Sequence, residues 1–415
     1  MSGSTNGALS SPQPSPANDG ARPRVLLFTG KGGVGKTTTA AATAVEAAAR
    51  GHRVVVTSAD PAHSLGDVFA TEVNSEPTRV AQRCDAQQLD ALARMEASWG
   101  DIRAWMVEML DWAGLSAVES EELALLPGFE ELVALMEIDS LATSGDYDVI
   151  VVDCAPTAET IRLLSLPDVL DWYIRHLFPA SRRLTRIARP LLSRVSDVPV
   201  APVEVFDSFE RFHAQLVRVR KLLTDSSTTL ARIVVTPERM VLSEAQRTLT
   251  YLSLFGYRVD AVVVNRLLPA ISGGGGSEGG ANSDDGANGD DDGDDFFSRM
   301  RQAQQGQLSD IRDTFGPLRI LRSELAATEI LGVDLLASHG KTMWDGIDPL
   351  SELSPAAGLR MEHDGEGARL RIPMPSVEST EVDLLESDGE LVITVGSYRR
   401  NLALPTSLRS RPVNA

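Results

Sequence analysis

From about residue 24 to 164 the chain alternates short, unbroken apolar runs with longer stretches of helical spacing. Residues 25–28, 53–57 and 147–153 are such runs, and 233–236 and 259–265 read the same way. An apolar run without polar alternation marks a strand buried on both faces, and helices between such strands supply the cover. The pattern predicts an α/β fold, a doubly wound and mostly parallel sheet. The Ala-rich stretch 37–50 reads as the helix after the first strand, with Gly51 as its stop.

Two helical regions, about 89–141 and 169–223, interrupt the alternation and predict an inserted helical subdomain. Helical spacing resumes at 296 and continues, with breaks, to about 345. The period then changes to that of short strands at 369–372, 381–385, 390–395 and 400–404, with Asp388-Gly389 as a hairpin signal. The predicted organisation is a main domain over 23–345, a Pro/Gly/Ser-rich linker over 346–366 and a small C-terminal antiparallel β domain over 367–408. Residues 1–22 and 409–415 read as tails, the first of them disordered.

Charge adds a second unordered segment. Residues 272–295 are Gly, Ser, Asn and acids, and supply 8 of the 19 net negative charges; such a stretch cannot bury enough apolar surface to order itself. The acidic balance, with a pI near 4.8, argues against nucleic acid as a partner. Of 39 basic residues four are Lys: Lys31, Lys36, Lys221 and Lys341. A Lys-poor, acid-rich surface fits a halophilic, salt-adapted cytoplasm. Two Cys, Cys84 and Cys154, allow no disulfide framework or paired metal motif. No apolar run approaches the ~20 residues that span a bilayer, so a soluble cytoplasmic protein is the expectation.

The chemistry starts at the end of the first strand. Gly30-Lys31-Gly32-Gly33-Val34-Gly35-Lys36-Thr37 matches the P-loop spacing, with a strand before it and a helix after. Glycines let backbone N–H groups wrap phosphates, Lys36 neutralises the β and γ phosphates of ATP, and Thr37 offers a hydroxyl to Mg²⁺. Lys31 is an added basic residue, either a solvated loop lysine or a functional one. Asp60, after the second strand, is placed either to orient an attacking water or to cap a turn, since Asp-Pro favours both. Asp153 ends the third strand, where an acid can hold Mg²⁺ through water.

Together these segments resemble one family. Lys31-Gly-Gly-Val-Gly-Lys-Thr-Thr38 is similar to the deviant P-loop of the ArsA, septum-site and chromosome-partition ATPases. Asp60-Pro-Ala-His-Ser-Leu-Gly-Asp67 resembles the first switch of the ArsA and tail-anchored-protein-targeting ATPases, and Asp153-Cys-Ala-Pro-Thr157 the second. Val262-Val-Val-Asn265 and Thr236-Pro-Glu238 have similar counterparts. The resemblance covers roughly 22–345. It implies an ATPase with ATP and Mg²⁺ as cofactors and with catalytic roles for Asp60, Lys31 and Lys36. Lys31 would reach a partner subunit's nucleotide, Thr37 and Asp153 would hold the metal, and Asn265 would lie against adenine. Thr38 would complete the loop, and Glu238 would contact nucleotide across a homodimer. Cys154 replaces the commoner Thr and reads as buried and inert.

The same resemblance implies a targeting factor or chaperone for apolar segments of membrane proteins, with room for a membrane receptor. A metalloid-efflux ATPase and a positioning ATPase of the septum or partition type are the alternatives. Members with a zinc-bridged dimer carry a CxxC after the Asn265 region. This chain has the acidic segment there instead, so no zinc site is expected, and two cysteines argue against arsenite binding. Apolar residues 105–136 and 170–178 fit a client groove and core packing equally. Six Arg between 175 and 194 read as a solvated face or as a contact for anionic lipid or client. Residues 368–408 resemble a small heat-shock, α-crystallin-like domain. It would either bind exposed strands at a sheet edge or serve a structural or regulatory role.

Overall fold

The computed structural model describes residues 22–58, 64–89, 91–112, 114, 129–154, 203–269, 291–355 and, with short gaps, 360–408. Eight strands form the main sheet: β1 (Arg24–Thr29), β2 (Val54–Ser58), β3 (Thr78–Ala81), β4 (Cys84–Gln88), β5 (Val149–Asp153), β6 (Thr229–Val235), β7 (Val259–Leu267) and β8 (Arg319–Glu324). Their order is β3-β4-β2-β5-β1-β6-β7-β8, parallel throughout except for β3 against β4. The apolar runs form the middle of this sheet. In β1, β2, β5 and β6 all but Arg24 are buried, as strands covered on both faces must be.

Eight helices are described: α1 (Lys36–Ala49), α2 (Ser64–Phe69), α3 (Ala91–Trp112), α4 (Phe129–Ser144), α5 (Val203–Thr224), α6 (Arg239–Leu254), α7 (Asp291–Phe315) and α8 (Val333–Trp344). Helices α3, α4 and α5 pack on one another as a subdomain. Ile102, Leu135, Met136, Ile138, Phe212 and Leu216 are buried there, and Ser208 Oγ donates to Asp101 at 2.7 Å. Helix α8 lies on α1. A Cβ at Gly340 would stand 2.6 Å from the Ala42 carbonyl, so glycine sets how closely the two helices approach.

Three sequence expectations need correction. Strands β3, β4 and β8 were hidden. Gln87 and Gln88 are buried in β4, where Gln87 Nε2 donates to the Ser75 carbonyl at 2.8 Å, and β8 is an edge strand with alternating exposure inside a stretch read as helical. Helix α7 starts at Asp291, inside the segment read as unordered. The predicted linker is built structure over its first part. Arg232 and Asp260, both without exposed side-chain surface, form an ion pair at 3.2 Å, and Arg232 also donates to the Pro349 carbonyl at 2.7 Å. Ser354 Oγ donates to the Asp260 carbonyl at 2.7 Å, and Arg258 donates to Glu352 at 2.7 Å and to the Ser354 carbonyl at 3.1 Å. Residues 349–354 are therefore stitched to the sheet; composition could not reveal this, because the partners sit on β6, on β7 and at Arg258 just before β7. The expected tails, residues 1–21, 155–202 and 271–290 lie outside the described residues.

Beyond this come β9 (Arg360–Asp364) and β10 (Gly367–Arg371), an antiparallel pair, and then β11 (Val382–Ser387), β12 (Glu390–Val395) and β13 (Tyr398–Ala403), a separate antiparallel sheet. The predicted β strands are thus present, preceded by one inside the supposed linker. The three-stranded sheet touches the main domain at the end of α6. There the Tyr398 ring meets Tyr251 edge-on at 4.5 Å, and the Arg400 guanidinium donates to the Leu254 carbonyl with its face 5.9 Å from the Phe255 ring.

Candidate functional site

Strands β1, β5 and β2 lie side by side in parallel register, so that Asp153 sits opposite both Phe28 and Ser58. Their C-terminal ends meet in one crevice, where doubly wound sheets bind ligands. The loop from Gly30 leaves β1 there and enters α1 at Lys36. Gly30 has φ +151°, and a Cβ on it would lie 2.2 Å from the Val234 carbonyl oxygen. Gly35 has φ +90°, and a Cβ on it would lie 2.3 Å from Asn265 Nδ2. Backbone conformation and space both require glycine at these two places. Helix α1 has no side-chain cap, so its first N–H groups remain available to an anion held by the loop.

Lys36 is buried and folds over the loop, donating to the Lys31 carbonyl at 3.1 Å. Thr37 Oγ1 donates to Asp153 Oδ2 at 2.6 Å and lies 3.2 Å from Ser64 Oγ. Ser58 Oγ also donates to Asp153, at 3.3 Å. A carboxylate and hydroxyls at the strand ends are the hard oxygen donors that Mg²⁺ takes. No group of three or more His, Cys, Asp or Glu that could hold a metal occurs among the described residues. A cation here would complete its shell with water and phosphate, as Mg²⁺ usually does. Cys154 is buried next to Asp153; burial, and then the neighbouring carboxylate, push its thiol up to about 12.

Asn265 stands on the far side of the loop. Its Nδ2 donates to the Val34 carbonyl at 2.8 Å, and its Oδ1 accepts from the Arg266 N–H at 2.8 Å and from Ser323 Oγ at 2.7 Å. A register shift in β7 accompanies this, with Arg266 at φ +56°; bulges of this kind re-aim side chains beside functional sites. These three hydrogen bonds of Asn265 all run within the chain, so contact with a base would use its second N–H. A cleft of about 1290 Å³ opens beside it, lined by Gly35, Thr38, Asp67, Asn265, Arg266 and His339 among others.

The remaining predicted residues divide. Gly32 and Gly33 lie exposed on the loop, with open space where a Cβ would stand. Lys31 turns to its own chain, with Nζ 3.5 Å from Glu244 Oε2 on α6. Glu238, exposed just before α6, accepts from Thr236 Oγ1 at 3.3 Å and does not join the Asp153 cluster. Asp60 lies outside the described residues. Sequence reasoning missed Ser58, Ser64, Ser323 and His339. Ser64 carried a weak signal, as the first helical residue after the Asp60 segment. The other three carried none, because their partners lie on other elements.

The family described as anion-transporting ATPase, ArsA, matches residues 23–345, and the HSP20-like domain found in ArsA matches 365–415. A relative from Aquifex aeolicus, "Putative arsenical pump-driving ATPase 1", is 31% identical over 394 residues, covering 93% of this chain and 95% of its own. A "Putative arsenical pump-driving ATPase" of Chlorobaculum tepidum is 32% identical over 388 residues, covering 93% and 91%. "ATPase GET3B" of Arabidopsis thaliana is 30% identical over 350 residues, covering 78% and 80%. Since the family match runs through the whole main sheet and its phosphate loop, this chain belongs to the ArsA family of ATPases, is an ATP-hydrolysing enzyme, and carries an ArsA-associated HSP20-like domain after its ATPase domain.

Proposed function

We propose that the chain is a cytoplasmic targeting factor or chaperone that couples ATP binding and hydrolysis, as a homodimer, to capture and release of apolar segments of membrane proteins. The observation that carries this is the apolar end of α3. Met109 is 41% and Trp112 53% exposed, on a helix that lies in the chain between the two switch segments. Leu135 and Met136 are buried in the same subdomain and serve as core. A flexible Met and a broad indole on one exposed helix end suit a variable apolar client. Among the described residues no helix is long and apolar enough to cross a membrane.

In this scheme Lys36 and the backbone of 30–38 hold the phosphates, and Thr37 and Asp153 hold Mg²⁺. Asp60 orients the attacking water, and Asn265 flanks the nucleoside. Lys31 and Glu238 serve the partner subunit's nucleotide. The pair Lys31–Glu244 is exposed on both sides and worth at most about 1 kcal/mol, so Lys31 is readily released for that task.

The pump-driving alternative draws support from the names and coverage of the Aquifex and Chlorobaculum relatives. Metalloid binding through thiolates is opposed by the cysteines: Cys84 and Cys154 are both buried, and burial pushes each thiol up to about 12. The test uses the purified chain and a labelled single-span apolar helix. A MgATP-dependent complex is expected, lost in Met109→Glu and Trp112→Glu with ATPase activity retained. Absence of any nucleotide-dependent complex, together with ATPase stimulation by arsenite or antimonite, would overturn the proposal in favour of the pump.

A further inference from the structure

We propose that Ser323 and His339 are positioning residues of the ATP site, which hold Asn265, and through it the P-loop, by a chain of directed hydrogen bonds. The inference rests on the ATPase activity and is independent of the client.

The direction of each bond follows from donor and acceptor inventory. The Val34 carbonyl can accept and not donate, so the amide nitrogen of Asn265 faces it, at 2.8 Å. Asn265 Oδ1 then accepts twice, from the Arg266 N–H and from Ser323 Oγ at 2.7 Å. Ser323 has one proton and gives it to Asn265. The contact of 3.0 Å between Ser323 Oγ and His339 Nε2 must therefore be a donation from the His339 ring. The chain runs from α8 through β8 and β7 into the phosphate loop, and Ser323 and Asn265 are both buried along it.

Two neighbouring features keep this chain rigid. Gly340, next to His339, lets α8 press on α1, the helix that the loop enters. The amide of Asn265 is wedged against Gly35, where no Cβ fits. With its oxygen held by two donors, the amide cannot flip without setting oxygen against the Val34 carbonyl. In a trans peptide the Val34 carbonyl and the Gly35 N–H point in opposite directions. Fixing the carbonyl on Asn265 keeps the Gly35 N–H turned away from it. Loop N–H groups prearranged in this way bind an anion without first paying for reorganisation. His339 is half-buried, and burial lowers its pKa below the usual imidazole range, which suits a neutral ring donating from Nε2.

The experiment uses the full chain, with steady-state ATPase kinetics and calorimetric binding of MgADP. Ser323→Ala and His339→Phe are expected to raise KM and Kd about tenfold, with kcat within about twofold. His339→Gln, which restores an N–H donor, is expected to lie within about threefold of the parent. The double variant Ser323→Ala/His339→Phe should be no worse than Ser323→Ala, because one chain is cut twice. Should His339→Phe fail to fold, Ser323→Ala against the hydroxyl-keeping Ser323→Thr decides the same question. Unchanged KM in the alanine and phenylalanine variants would overturn the proposal. So would His339→Gln as impaired as His339→Phe, or affinity lost in step with thermal stability.

Discussion

The two sheets of this molecule solve the same packing problem in different ways. The eight-stranded sheet buries its central strands on both faces and places its chemistry where their C-terminal ends emerge. The three-stranded sheet of β11, β12 and β13 has one well-buried strand, β12, while Leu385 on β11 is 60% exposed. A small sheet with so little cover gains from leaning on a neighbour. It leans on the end of α6, whose other half carries Glu244, the partner of Lys31. The contrast teaches that the ATPase sheet is covered on both faces by its own domain, whereas the small sheet, among the described residues, also meets the main domain at the end of α6.

The largest expected effect tests the first half of that contrast. Asp260→Ala leaves Arg232 buried among Phe28 and Trp344 without its carboxylate. We expect a loss of about 3–5 kcal/mol in urea unfolding, with the stitched segment 349–354 released. Replacing both Arg232 and Asp260 by apolar residues of similar volume should recover most of it.

A smaller effect is expected at the docking patch. Tyr398→Ala or Arg400→Met removes an edge-on ring contact or a cation at a helix C-terminus, each worth roughly 1 kcal/mol. Hydrogen exchange should rise in β12 and β13 while β1 and β5 stay protected. Equal exchange in the parent and both variants would mean that the small sheet stands alone.

Much of this was legible in the sequence, for local reasons. The P-loop is fixed by glycines that the backbone needs at short spacing, and Asp153 by ending an apolar run. What was hidden depended on distant partners. Ser323 finds Asn265 across 58 residues and His339 across 16, and Pro349 is held by Arg232 from 117 away. Strand β8 alternates exposed and buried positions inside helical text, and β4 buries two glutamines, so neither resembles the apolar runs beside it.

The smallest effect is an expected silence. With burial pushing Cys84 and Cys154 up to about 12, the folded chain should resist alkylation from about pH 7 to 9, where an unfolded thiol ionises near ~8.5. Reactivity that climbs over this range in the native chain would place a thiolate within reach of metalloids and favour pump driving.

The most direct measurement compares two variants in capture of a purified, labelled apolar helix under MgATP. Asp60→Asn should bind ATP, fail to turn it over and accumulate the complex, whereas Lys36→Ala should capture nothing above background. Equal capture by both variants, with or without nucleotide, would contradict an ATP-gated targeting factor.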